Sequence, residues 1–144
     1  MQRSLLSTLN DGLNQLENSS TIYTFSTVAQ GTTATLSSNA DGTIVINNYG
    51  TTGSRAHEAT HAIQHHFGKI SFKPVGSNNV LMLNPYELEI QAYRIEYSIT
   101  NGIIPISDSK TPKNVFGITL QWLLGLKDPN TGNYIYRPEN YKRK

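Results

Sequence analysis

The chain has 144 residues, of which 37% are apolar and 15% charged, with a formal net charge of +2 and no cysteine. That length suits a single domain, and the absence of cysteine excludes disulfides, Cys-type zinc sites, iron–sulfur clusters and a thiol nucleophile. The small net charge, with Arg137, Lys142, Arg143 and Lys144 gathered near the C-terminus, makes no case for a nucleic-acid partner, and no apolar run approaches the roughly 18 residues of a membrane span.

Leu5, Leu6, Leu9, Leu13 and Leu16 recur at helical spacing, predicting an amphipathic helix over residues 3–17 despite Gly12. The same N-terminal stretch carries Arg3 but no continuous apolar region, so no signal peptide is expected. Three β-like runs follow, at residues 22–28, 32–36 and 43–47, with a turn signal at Asn39-Ala-Asp-Gly42 that pairs the last two as a hairpin. In the third run Ile44 and Ile46 share one face and Val45 takes the other.

Thr52 or Ser54 can cap a helix over residues 54–67, stopped by Gly68, with Ala56, Thr60, Ile63 and Phe67 as its core-facing stripe. A loop rich in Gly, Ser and Asn over residues 71–84 leads to Asn84-Pro85, a helix start with proline at the first position. This second helix runs to residue 99, carries Leu88, Ala92, Ile95 and Ile99 on one face, and ends at Asn101-Gly102. Residues 115–126 form an apolar C-terminal segment expected to be buried, a turn occupies residues 128–132, and Tyr134-Ile-Tyr136 is a short strand or an ordered tail. Helix, strands, then helices: the order predicts an α+β domain.

The chemistry is concentrated at His57-Glu-Ala-Thr-His61, an HExxH sequence inside the predicted site helix. A spacing of four sets both imidazoles on one helix face, one turn apart, where they can share one Zn²⁺. Glu58 projects beside them, placed to hold and deprotonate an activated water without being a ligand. A catalytic zinc needs a third protein ligand. The HExxHxxGxxH spacing is excluded, because Gln64 and Phe67 occupy its Gly and final His positions. His65 falls on nearly the same side as His57 and can line the cleft; His66 points to the opposite face. The second helix offers Glu87, Glu89 and Glu96, of which Glu89 borders the buried face, next to Tyr93 and one turn before the small Ala92. Glu89 is therefore the leading third ligand, with Glu87 and Glu96 as alternatives.

At these residues the chain resembles the zincin metallopeptidases whose third ligand is a glutamate, the gluzincin arrangement. Glu89-Ile-Gln-Ala92 resembles the ExxA pattern that carries that glutamate. His57-Glu-Ala-Thr-His-Ala-Ile-Gln64 and Glu89-Ile-Gln-Ala-Tyr-Arg94 are similar to the HELxHAxQ and ExEAYxR segments of small metallopeptidase domains at the C-termini of bacterial RHS-repeat and other polymorphic toxins. The resemblance covers residues 1–100, with Gln91 where Glu is frequent and Thr60 where a larger residue is frequent. It implies a zincin-like α+β fold: a small mixed or antiparallel sheet, the HExxH helix beneath it, and a second helix bearing the third ligand. In that fold the strand beside the cleft pairs with extended substrate, a role for which residues 43–47 are the candidate.

The expected activity is peptide-bond hydrolysis with one Zn²⁺ on His57, His61 and Glu89, and Glu58 as general base. Tyr93, His65, Tyr134 and Tyr136 are candidate donors to the transition-state oxyanion. Glu96, Asp108 and backbone groups are candidates to orient the imidazoles, and Arg94 is expected to bridge to Glu87 or a neighbouring loop. The expected partners are a protein or peptide substrate and, for a toxin domain, a cognate immunity protein. Such a domain is delivered as part of a larger effector chain and acts in a target cell. Two other roles stand beside it: a housekeeping metallopeptidase, cytoplasmic or secreted, and a zincin-like binding module without catalysis.

Overall fold

In a computed structural model, residues 2–29, 34–72, 80–102, 112–128 and 131–137 are described. The first helix, α1, spans Gln2–Glu17 and buries Leu9 and Leu16. Gly12 is tolerated in it for want of space: a Cβ there would lie 2.5 Å from Cδ1 of Ile63 on the next helix. Three strands follow, β1 (Tyr23–Thr27), β2 (Leu36–Ser38) and β3 (Ile44–Asn48). The expected hairpin forms between β2 and β3, antiparallel with Leu36 opposite Ile46. Its turn holds together because Gly42 takes a φ of 88° and the Asp41 carboxylate accepts from the Thr43 N–H at 2.9 Å. The strand begins later than the predicted run, part of which (residues 32 and 33) lies outside the described residues.

The sheet order is β1-β3-β2, with β1 parallel and β2 antiparallel to β3. Ile44 and Ile46 are buried and Val45 is half-buried, as the alternation predicted. The expectation that this strand offers a free edge to substrate is corrected: β3 is central, and its backbone is paired on both sides. Among the described residues the outer strands are β1 and β2.

The site helix, α2, spans Thr52–His66 and is capped by Thr51, whose hydroxyl accepts from the Ser54 N–H. Ser54, one of the two predicted caps, instead accepts from the Tyr49 N–H in the preceding turn. Ala56 and Thr60 are buried as expected, but Phe67 is 55% exposed, because the helix ends at His66 and Phe67 is already its C-cap. A second, two-stranded sheet pairs β4 (Ile70–Phe72) with β5 (Val80–Met82), antiparallel. It stands where the sequence suggested only loop; the alternation there is too short to register, and residues 73–79 lie outside the described residues.

Helix α3 spans Pro85–Thr100, beginning behind Asn84 and ending at Asn101 and Gly102 in left-handed conformations, with φ of 56° and 95°. It packs on α2 through small residues. Ala92 is fully buried, and a Cβ on Gly53 would meet Thr100 Cγ2 at 2.7 Å and Glu96 Cγ at 3.3 Å. The expected apolar C-terminal segment is a 3-10 turn at Val115–Gly117 and a short helix, α4 (Leu120–Leu124), capped by Thr119. Val115, Ile118, Leu123 and Leu126 bury against Tyr93 and Tyr97 of α3. Tyr134 makes a single bridge to Lys127 and Tyr136 is buried in the same cluster, so this piece is an ordered tail with one strand-like contact.

The fold is thus mixed α+β, with four α-helices and a three-stranded mixed sheet among the described residues. None of those helices is long and apolar enough to cross a membrane. Ile46 lies at the centre of the sheet and is 1% exposed, whereas Ile22 is 62% exposed. Urea unfolding should therefore show Ile46→Ala losing about 2–5 kcal/mol and Ile22→Ala changing stability by less than about 0.5 kcal/mol.

Candidate metal centre

His57 and His61 face α3 from one side of α2, with ring centroids 5.1 Å apart. Glu89 stands opposite on α3, and its Oε1 lies 2.9 Å from His61 Nε2 and 3.3 Å from His57 Nε2. One ligand atom from each of the three residues lies within 4.8 Å of the others, so this buried group could hold a metal ion. His61 and Glu89 are each only 1% exposed. Glu58 is also buried, its Oε2 3.8 Å from His57 Nε2. The structure brings together His57, Glu58, His61 and Glu89, and leaves Glu87 exposed in the first turn of α3.

The far nitrogen of each ring decides the chemistry of the near one. His57 Nδ1 lies 2.9 Å from Glu96 Oε1, and His61 Nδ1 lies 2.8 Å from Gln64 Oε1. Both oxygens only accept, so each Nδ1 carries hydrogen and donates it. In a neutral imidazole Nε2 is then left with a lone pair, and both Nε2 atoms point at the same carboxylate oxygen. Three electron-rich atoms facing one another repel unless a proton or a cation sits among them. A cation held by all three, with Glu96 and Gln64 behind the rings, satisfies all four ring nitrogens and Glu89 Oε1 at once. That is the arrangement in which outer partners fix the tautomer of metal-binding histidines.

Electrostatics in the group follow from its acidity. Burial alone would lower the pKa of His57, but hydrogen bonds to Glu89 and Glu96 and the charge of Glu58 outweigh it and push the value up to about 10. Burial, then the charges of Glu89 and Glu96, hold the Tyr93 hydroxyl well above the ordinary tyrosine value, against the opposing effect of its bond to Tyr136. That hydroxyl therefore stays protonated.

Tyr93 packs its ring edge-on against His57, with centroids 4.4 Å apart, and its hydroxyl lies 2.7 Å from that of Tyr136. His65 lies outside the ligand group: its Nδ1 is 2.8 Å from the Tyr23 hydroxyl, and its ring sits against Phe72. Burial pushes Tyr23 up to about 12, while burial and the charge of His66 lower His65, so Tyr23 donates and a neutral imidazole accepts. Arg94 donates to the Ile118 carbonyl at 3.1 Å, the neighbouring-loop option. Asp108, a candidate to orient an imidazole, lies outside the described residues. A groove of about 490 Å³, lined in part by Leu13, Phe25, Arg55 and Ala59, flanks α2 on the side away from His57 and His61.

Sequence reasoning named Glu96 among the orienting groups but missed Gln64. The signal was available: Gln64 follows His61 by three residues, the spacing at which two helical side chains meet. No family model, curated protein or solved structure matches the chain.

Zinc titration of the purified chain should show Glu89→Ala weakening binding by more than the about 10–100-fold that loss of an outer partner costs. Glu87→Ala, exposed and one residue from the buried face, should bind as the parent does.

Proposed function

We propose that this protein is a zinc-dependent peptidase of zincin type, with His57, His61 and Glu89 holding the metal and Glu58 as general base. The observation that carries this reading is the convergence of two Nε2 atoms and a carboxylate oxygen in a buried site with a further carboxylate, Glu58, 3.8 Å from one of them. Two imidazoles and one carboxylate are the donor set of catalytic zinc sites that keep a fourth position for water or substrate. Zinc bound there supplies Lewis acidity, making a water acidic near neutral pH and polarising a carbonyl.

The remaining work falls to the protein's own groups. Glu58 accepts the proton of the attacking water at its carboxylate and returns it to the leaving amine, so that no net proton is consumed. What supports this role is its position one residue beyond His57, with Oε2 3.8 Å from His57 Nε2. Tyr93, rigidly packed against His57 and protonated, is the candidate donor to the oxyanion that develops on the carbonyl. Glu96 and Gln64 keep both rings turned with Nε2 inward.

The biological role we propose is that of an effector domain of a bacterial toxin, paired with an immunity protein. It rests on the likeness of His57–Gln64 and Glu89–Arg94 to such domains, and its substrate is a protein or peptide.

Glu58→Gln should keep zinc bound and lower peptide hydrolysis by about 10²–10⁴-fold. An unchanged rate in a zinc-loaded Glu58→Gln protein would remove the catalytic reading. Expression of the parent in a bacterial host should slow growth relative to Glu58→Gln, in cytoplasm or periplasm; equal growth in both compartments would count against the toxin role.

A further inference from the structure

The two histidines are backed differently. His57 donates to the carboxylate of Glu96, whereas His61 donates to the side-chain amide of Gln64. A carboxylate presents an acceptor whichever way it turns. An amide does not: rotated by half a turn, Gln64 would present its NH₂ to His61 Nδ1. That nitrogen would then have to accept, the ring proton would move to Nε2, and His61 would leave the ligand group. Something outside the ring must therefore hold the amide in place.

That hold is on α3. Gln64 Nε2 donates to the Leu88 backbone carbonyl at 3.0 Å and to Gln91 Oε1 at 2.8 Å. The Leu88 carbonyl can only accept, which assigns Nε2 to that side and Oε1 to His61. Gln91 takes the second N–H, so both amide hydrogens are used and the flipped orientation would lose two bonds and set oxygen against oxygen. Leu88 is the residue before Glu89, so the same turn of α3 that presents the third ligand also fixes the orientation of the second.

We infer that Gln64 is the positioning residue that sets the metal-binding tautomer of His61, and that the Leu88 carbonyl and Gln91 lock its amide for that purpose. The inference rests on the metal-site reading and extends it from the ligands to a relay running from α3 through Gln64 to His61. It also gives Gln91 a role in which an acceptor is required and the amide's own N–H₂ is not. A glutamate at this position would serve as well; an apolar residue would not.

The test uses the full chain as parent, Gln64→Leu, Gln91→Leu and Gln91→Glu. Zinc affinity is measured by competition with a chelator, and the His61 Nδ1–H is observed by ¹H–¹⁵N NMR with and without zinc. The parent should show a slowly exchanging Nδ1–H on His61. Gln64→Leu should lose that protection and bind zinc about 10–100-fold more weakly. Gln91→Leu should weaken binding by about 2–10-fold, the worth of one hydrogen bond, with faster exchange at His61; Gln91→Glu should match the parent in both.

Parental zinc affinity with a protected ring N–H in Gln64→Leu would overturn the proposal, as would equal behaviour of Gln91→Glu and Gln91→Leu. Should Gln64→Leu fail to fold, the two Gln91 variants decide the question. The outcome is separable from hydrolysis. A parent that binds zinc and loses affinity in Gln64→Leu, yet cleaves no peptide, retires the peptidase reading and keeps this one. A parent that cleaves peptides while Gln64→Leu binds zinc unchanged does the reverse.

Discussion

Two imidazoles and three carboxylates share a space that water scarcely reaches, and the fold around them is arranged so that few of their atoms lack a partner. His57, Glu58, His61, Glu89 and Glu96 are all buried. An ionised group left alone in such a place costs several kcal/mol, enough to offset much of the stability of a small domain. The close packing of α2 on α3 meets this requirement. It brings Glu96 to His57, Glu89 to both rings, and Gln64 to the Leu88 carbonyl in one interface. Small side chains make the approach possible: Ala92 is fully buried on α3, and Gly53 leaves room on α2 for Thr100 and Glu96.

The other elements serve that interface. Helix α1 lies against the far flank of α2, where Gly12 accommodates Ile63, and the sheet packs Ile44 and Ile46 toward Leu16 and Ala62. The C-terminal segment buries Val115, Ile118, Leu123 and Leu126 against Tyr93 and Tyr97, so the Tyr93 ring is pressed on His57 from a wall of fixed shape. Every proposed ligand thus sits on a helix held from at least two sides, which is how a site keeps its geometry without loop motion. A metal that binds only the folded arrangement would in turn add its binding free energy to the stability of the fold.

Local pattern made much of this legible in advance. The limits of α1 and α3, the Asn39–Gly42 turn and the inward faces of Ile44 and Ile46 follow from side-chain period and from the backbone preferences of Pro, Gly and Asn. Where reading failed, the cause was a longer-range choice. The alternation of β3 showed which face is buried but not which strands lie beside it, and its central position closes the edge that substrate pairing would need. Phe67 has the spacing of a core residue, yet the helix stops before it. The β4–β5 pair is only three residues per strand, below the length at which alternation is informative.

The same division runs through the site. The placement of His57, Glu58 and His61 is a property of the helix itself: four residues make about one turn, whatever surrounds it. Glu89 was reachable because its position relative to the apolar face of α3 is again a matter of helical period. The orienting contacts are of another kind. Glu96 reaches His57 across 39 residues of sequence, and Gln64 reaches Gln91 across 27. No local period constrains such pairs; they exist only once two helices have packed at one angle and one register. By itself, then, the sequence determined the His57–His61 pair and narrowed its partner to three glutamates, and only the tertiary structure decided that Glu89 is the one facing both rings and how those rings are turned. A ligand's identity is written in covalent spacing, whereas its tautomer depends on an acceptor that the chain brings up from elsewhere.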